Sequence, residues 1–105
     1  MNYISLSKIL SNNISSKNEE LIIKSIKKIG IILKNKLENN NKISILGPSP
    51  CILSKIKEYY RWQILVKGEL DIDLADNIKN IVYTSLQNSY SDIRISLDIN
   101  PNNLL

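Results

Sequence analysis

Tyr60-Arg61-Trp62-Gln63-Ile64-Leu65-Val66-Lys67-Gly68 alternates with a period of two. Tyr60, Trp62, Ile64 and Val66 fall on one side, and Arg61, Gln63, Leu65 and Lys67 on the other. Successive side chains of a strand point to opposite faces, so this stretch predicts a strand with one face against a core. On its C-terminal side, Asp71 or Asp73 can cap a helix. Leu74, Ile78, Ile81 and Ser85, widened by Val82 and Leu86, give that helix an apolar face. Asn88 to Ser91 reads as a turn. Ile93, Ile95, Leu97 and Ile99 then alternate with Arg94, Ser96 and Asp98, which predicts a last strand.

Reading back from Tyr60, residues 51–59 connect, and Gly47-Pro48-Ser49-Pro50 is expected to leave regular structure, because proline removes a ladder donor. Lys42 to Leu46 predicts a strand with Ile43 and Ile45 on one face. Before it, Ile22, Ile26, Ile29, Leu33 and Leu37 recur at helical spacing over 17–38. Ser16-Lys17-Asn18-Glu19 has the form of a capping box for that helix. Gly30 inside it costs on the order of 1 kcal/mol against alanine, which close packing on a sheet would explain. Tyr3 to Leu10 predicts a first strand, broken by Asn12 and Asn13. The order β-α-β-β-α-β, with two amphipathic helices and two-faced strands, defines an α+β, ferredoxin-like sandwich. Its sheet has four antiparallel strands with both helices on one face.

At 105 residues the chain is expected to form one domain, 1–105. It has no histidine and one cysteine, Cys51. This excludes an internal disulfide, a Ser-His or Cys-His nucleophile pair and a zinc site built by the chain alone. Cys51 reads as a small hydrophobe or an exposed thiol. No GxxxxGK[ST] loop is present, and Asp71 and Asp73 read as helix caps. The chain alone is therefore expected to be non-catalytic and to hold no cofactor. No apolar run reaches the roughly 18–20 residues of a membrane span, and the N-terminus lacks a secretory pattern. A cytoplasmic protein without membrane partners is expected. The net charge is +4, with +7 over residues 1–69 and −3 over residues 70–105. A basic half suits an anionic partner; a lysine-rich, Ile- and Asn-rich composition gives the same excess on a solvated helix.

Lys55-Ile56-Lys57-Glu58-Tyr59-Tyr60-Arg61-Trp62-Gln63 concentrates cations, aromatics and an amide, the residue types that hold phosphates and stack on bases. Trp62 reads as core. Arg61, Gln63 and Lys67 share the opposite face. Lys55 and Lys57 are expected to extend their row.

Leu46-Gly47-Pro48-Ser49-Pro50, Lys55-Ile56-Lys57, Tyr60-Arg61-Trp62-Gln63 and Ile95-Ser96-Leu97-Asp98-Ile99-Asn100-Pro101 occur in that order. The series resembles the C-terminal domain of the primosomal protein N-prime (PriA) family of replication-restart DNA helicases. The resemblance covers nearly the whole chain. It implies a ferredoxin-like fold and a much longer parent, an ATP-dependent 3'-5' helicase. ATP, magnesium and zinc would be held by parts of that parent not seen here. It implies contacts with the parent's helicase core, with branched or single-stranded DNA, and with the acidic tail of single-strand-binding protein. On this reading Lys55, Lys57, Arg61 and Lys67 contact DNA, and Tyr59, Arg61 and Gln63 contact the protein partner. Two departures stand out. The family usually has Gly and then a basic residue where Glu58 and Tyr59 stand, and Asp where Asn100 stands. Tyrosine cannot pair with a carboxylate as arginine does, so the tail contact is expected to be weaker or moved to Lys57. Two other classes share these features: a protein-interaction module that touches no DNA, and an independent RNA-binding ferredoxin-like domain.

Overall fold

The computed structural model describes residues 7–86 and 92–101. Its elements run β1 (Ser7–Ser16), α1 (Glu19–Leu37), β2 (Ile43–Ile56), β3 (Tyr59–Glu69), α2 (Ile72–Ser85) and β4 (Arg94–Pro101). The strands form one sheet in the order β2-β3-β1-β4, with every pairing antiparallel. This is the ferredoxin-like α+β arrangement expected from the alternation of periods two and 3.6.

The core lies on one face of the sheet. Leu10 and Ile14 of β1 and Ile64 and Val66 of β3 form a single cluster with Ile22, Ile26, Ile29 and Leu33 of α1 and Ile78 and Val82 of α2. The predicted stripe of α1 is thus the buried one, with Leu37 packed at its margin. The stripe of α2 is turned by about one residue. Ala75, Ile78, Val82 and Leu86 are buried, while Leu74 and Ile81 flank them. Gly30 is buried, and a Cβ built on it would stand 3.4 Å from Pro48 Cδ and 3.6 Å from Ile64 Cδ1. These are ordinary contact distances, so the helix lies over the β2–β3 ladder here without the packing itself requiring a glycine.

Four expectations need correction. Asn12 and Asn13 do not break the first strand; β1 continues through them to Ser16. Asn12 is buried, and its side-chain amide donates to the Ile64 carbonyl oxygen at 3.1 Å. The cap of α1 is Asn18, whose Oδ1 accepts from the Leu21 N–H at 3.1 Å. Ser16 ends β1, and its Oγ accepts instead from the Asn18 N–H. Gly47-Pro48-Ser49-Pro50 stays in the sheet. β2 is an edge strand, and it takes up both prolines by shifting register between Leu46 and Ser49 and again between Pro50 and Lys55, the setting in which a sheet tolerates proline. Residues 51–56 then belong to β2, and the connection shrinks to Lys57 and Glu58. Their φ values of 49° and 70° turn the hairpin in the left-handed region. Asp71 caps α2 as expected, its Oδ1 accepting from the Leu74 N–H at 2.8 Å. The predicted start of β1 at Tyr3, the turn at Asn88–Ser91 and the closing Leu104-Leu105 lie outside the described residues.

Candidate anion-docking face

The two sheet faces differ in chemistry because the strands are two-faced. Residues opposite each other in a ladder share a face. Leu10, Ile14, Ile64 and Val66 therefore assign the even-numbered positions of β1 and β3 to the core. The odd positions form the open face. On β3 these are Tyr59, Arg61, Gln63, Leu65 and Lys67. Ser15 and Asn13 of β1 lie beside Arg61 and Gln63. Arg94 and Ser96 of β4 lie on the other side of the same two residues. The predicted row of Arg61, Gln63 and Lys67 is thus present on one face. Trp62 is on the other, packed against the core.

The flanking lysines part company. Lys55 lies opposite Tyr60 in the hairpin, its ammonium 5.0 Å from the Tyr60 ring centroid. Tyr60 pairs with the buried Ser16, so Lys55 is on the helix side and does not extend the row. Lys57 does join Arg61. Both line an open depression of about 470 Å³ together with Ser15, Tyr59 and Arg94. Lys67 lies beside Ile9 and Ser44 at the far end of β3. The positive charge of this face is therefore gathered at the hairpin end rather than spread along the strand.

Tyr59 is the centre of that end. The guanidinium of Arg94 stands 4.1 Å from its ring centroid and the ammonium of Lys17 5.6 Å from it, both within the range of a cation–π attraction. Neither Arg94 nor Lys17 stood out in the sequence. Arg94 is about three-quarters of the chain's length away from Lys17 and Ser15, and only the β3-β1-β4 order brings it to Tyr59. The one available signal was its place on the polar side of an alternating strand.

Toward the middle of the face the groups become neutral. Gln63 and Asn13 approach the buried thiol of Cys51, which donates weakly to Asn13 Oδ1 at 3.8 Å and Gln63 Oε1 at 4.0 Å. Burial pushes this thiol above its ordinary value of 9.0, partly offset by the positive charge of Arg61. It is a protonated, structural cysteine rather than an exposed one. A second depression runs from Arg61 and Arg94 past Ser96 to Asp98, where a carboxylate joins its lining. Among the described residues, no three His, Cys, Asp or Glu side chains gather to hold a metal, and no helix is long and apolar enough to cross a membrane.

The β-α-β-β-α-β order with a polar, cation-ended open face defines a small ferredoxin-like domain. The solved structures it resembles show the fold alone. The de novo designed protein Foldit4 superposes with a TM-score of 0.65 at 10% identity, over 92% of this chain and 99% of that one. The designed protein Ferredog-Diesel gives 0.52 at 11% identity, over 91% and 89%. Residues 6–102 match the family described as Primosomal protein N C-terminal domain, and the chain belongs to that family. A curated relative, "Replication restart protein PriA" of Synechocystis sp. (strain ATCC 27184 / PCC 6803 / Kazusa), is 29% identical over 95 residues. That match takes in 90% of this chain and 11% of the relative, so the chain spans about a tenth of that protein's length.

Proposed function

We propose that this chain is the non-catalytic docking and DNA-associated C-terminal domain of a replication-restart DNA helicase in the cytoplasm. On this reading it packs against the helicase core. It offers its open sheet face to branched DNA and to the acidic tail of single-strand-binding protein, while ATP, magnesium and zinc are handled by other parts of the longer protein. The observation that carries the reading is the grouping of Lys57, Tyr59 and Arg61 around one depression, with Gln63 next on the same face of β3. An anionic partner meets cations there first and an amide beyond them. Lys67, farther along the face, and Lys55, around the hairpin on the helix side, are then outlying DNA contacts.

A second reading, protein docking without DNA, is favoured by the compactness of the charge. DNA binding that neutralises several phosphates needs cations spaced along a track, and Lys55 leaves that track. The test is to titrate the full chain, Arg61→Ala and Gln63→Ala with a branched DNA and with an acidic peptide at several salt concentrations. The docking reading expects both changes to weaken peptide binding. A DNA role expects Arg61→Ala to weaken DNA binding irrespective of sequence and to lower the salt slope by about one unit. Unchanged affinities accompanied by a lower melting temperature would overturn both. DNA-stimulated ATP hydrolysis by the pure chain would overturn the non-catalytic assignment.

A further inference from the structure

We propose that the exposed lysine face of α1 is a separate binding site, a track for the phosphate backbone of duplex DNA on the helix side of the sheet. The inference rests on the DNA-associated reading above and gives it a surface that the open sheet face does not offer.

The helix sets the track. α1 buries Ile22, Ile26, Ile29, Gly30 and Leu33. Each residue turns an α-helix by about 100°, so Lys24, Lys28, Ile31 and Asn35 lie opposite that stripe, and Lys27 and Lys34 flank them on one side. All six are exposed, Ile31 by 62%. Between Glu20 and Glu38 the helix has no acidic residue. Among the described residues, none of Lys24, Lys27, Lys28 and Lys34 makes an ion pair. The remaining lysine of the helix, Lys36, lines the groove toward Leu74 and Ile81 of α2 instead.

A lysine-rich composition does not by itself place these charges. α1 carries five lysines, whereas α2 has one, Lys79, on an exposed surface shared with Asp73 and Asp76. The helix layer is therefore divided into a positive half and a mixed half, and a polyanion is directed to α1.

Spacing and chemistry select the ligand. Lys24 and Lys34 are ten residues apart on α1, about 15 Å along the axis at about 1.5 Å per residue. A duplex strand passes one phosphate about every 3.4 Å of its axis, so about four phosphates lie alongside the four lysines. Lysine is a flexible point charge without the planar fork of arginine, and this face of α1 has no arginine and no aromatic ring. It can neutralise a regular series of phosphates, but it has nothing on which unpaired bases could stack. Lysine is also depleted in protein–protein contacts, and Ile31 alone gives such a contact no apolar cluster.

The experiment measures binding of two duplexes of about 20 base pairs and unrelated sequence, and of a single strand of equal length, over a series of salt concentrations. The proteins are the full chain and its Lys24→Ala/Lys28→Ala, Lys24→Arg/Lys28→Arg, Ile31→Ala, Lys79→Ala and Arg61→Ala variants, with melting curves to confirm folding. The full chain is expected to bind both duplexes alike and more tightly than the single strand. Lys24→Ala/Lys28→Ala is expected to weaken both duplexes more than about tenfold at about 0.1 M salt and to lower the salt slope by about two units. Lys24→Arg/Lys28→Arg should bind as the parent chain does, because the track uses charge. Ile31→Ala and Lys79→Ala should do the same. Unchanged duplex binding by Lys24→Ala/Lys28→Ala, with a loss in Arg61→Ala, would overturn the track and leave the DNA-associated reading standing on the open face. A loss with Ile31→Ala equal to that of the alanine pair would indicate a packed, protein-type surface and overturn the proposal. Tighter binding of the single strand would overturn the duplex assignment. Failure of the parent chain to bind any of the three nucleic acids at low salt would overturn the DNA-associated reading itself.

Discussion

Asn12 donates its side-chain amide to the Ile64 carbonyl oxygen at 3.1 Å from the middle of the buried face of β1. Its own Oδ1 has no hydrogen-bond partner. The same amide nitrogen also donates to the Leu10 carbonyl oxygen at 3.4 Å, so the side chain contributes through its donors and carries an unmatched acceptor, at a cost of about 1–3 kcal/mol.

This arrangement makes Asn12→Asp a pH-dependent lesion. Burial raises the folded-state pKa of the new carboxyl above its unfolded value, because the charged form loses water. Below the unfolded value near 4 the neutral acid can still donate to Ile64, and stability is kept. As pH rises through the raised folded value that stability is lost. Urea melts at pH 4 and pH 7 are expected to show a destabilisation at pH 7 of roughly 2–3 kcal/mol or more that shrinks at pH 4. Equal loss at both pH values would contradict the buried placement.

Glu58 holds φ at 70° in the Lys57-Glu58 turn, a conformation that costs an L-residue roughly 1 kcal/mol and glycine little. Glu58→Gly is expected to stabilise the chain by about 0.5–1 kcal/mol, read as a rise in the urea midpoint with an unchanged slope. A fall in midpoint would contradict the turn geometry.

Two glycines are expected to respond in opposite ways to alanine. At Gly30 a Cβ meets Pro48 and Ile64 at ordinary contact distances, so Gly30→Ala should be neutral or should stabilise by up to about 1 kcal/mol. At Gly68, where φ is +145°, a Cβ would run into the Lys42 carbonyl oxygen, so Gly68→Ala should lower the melting temperature severely. Thermal melts of the two variants check both at once.

Cys51 is expected to alkylate more slowly in the native chain than in urea at pH 8.5, because burial keeps its thiol protonated. Arg61→Ala removes the charge that partly offsets this and should slow it further. Stability should fall once pH rises above about 9 and through the raised folded value, as the thiol's unfolded form ionises first. Labelling as fast as in urea would contradict the burial.

The period of apolar residues carried most of the fold, because a strand or helix with one wet face writes that face into the sequence. Ile22 to Leu33 and Tyr60 to Val66 are the plain cases. Asn12 misled because a polar pair inside a strand looks like a turn until its partner across the sheet is known. Pro48 and Pro50 misled because their cost depends on whether the strand lies at an edge, which follows from strand order and not from local sequence. Arg61 and Gln63 were legible as a face, whereas Arg94 and Lys17 became part of the site only through the register of three strands.

The most direct test of the account is an amide-resolved NMR titration of the full chain with a short acidic peptide ending in a free carboxylate. Shifts concentrated at Ser15, Lys57, Tyr59, Arg61, Gln63 and Arg94 are the result it predicts. Shifts concentrated on the exposed faces of α1 and α2, with the open sheet face unmoved, would contradict it.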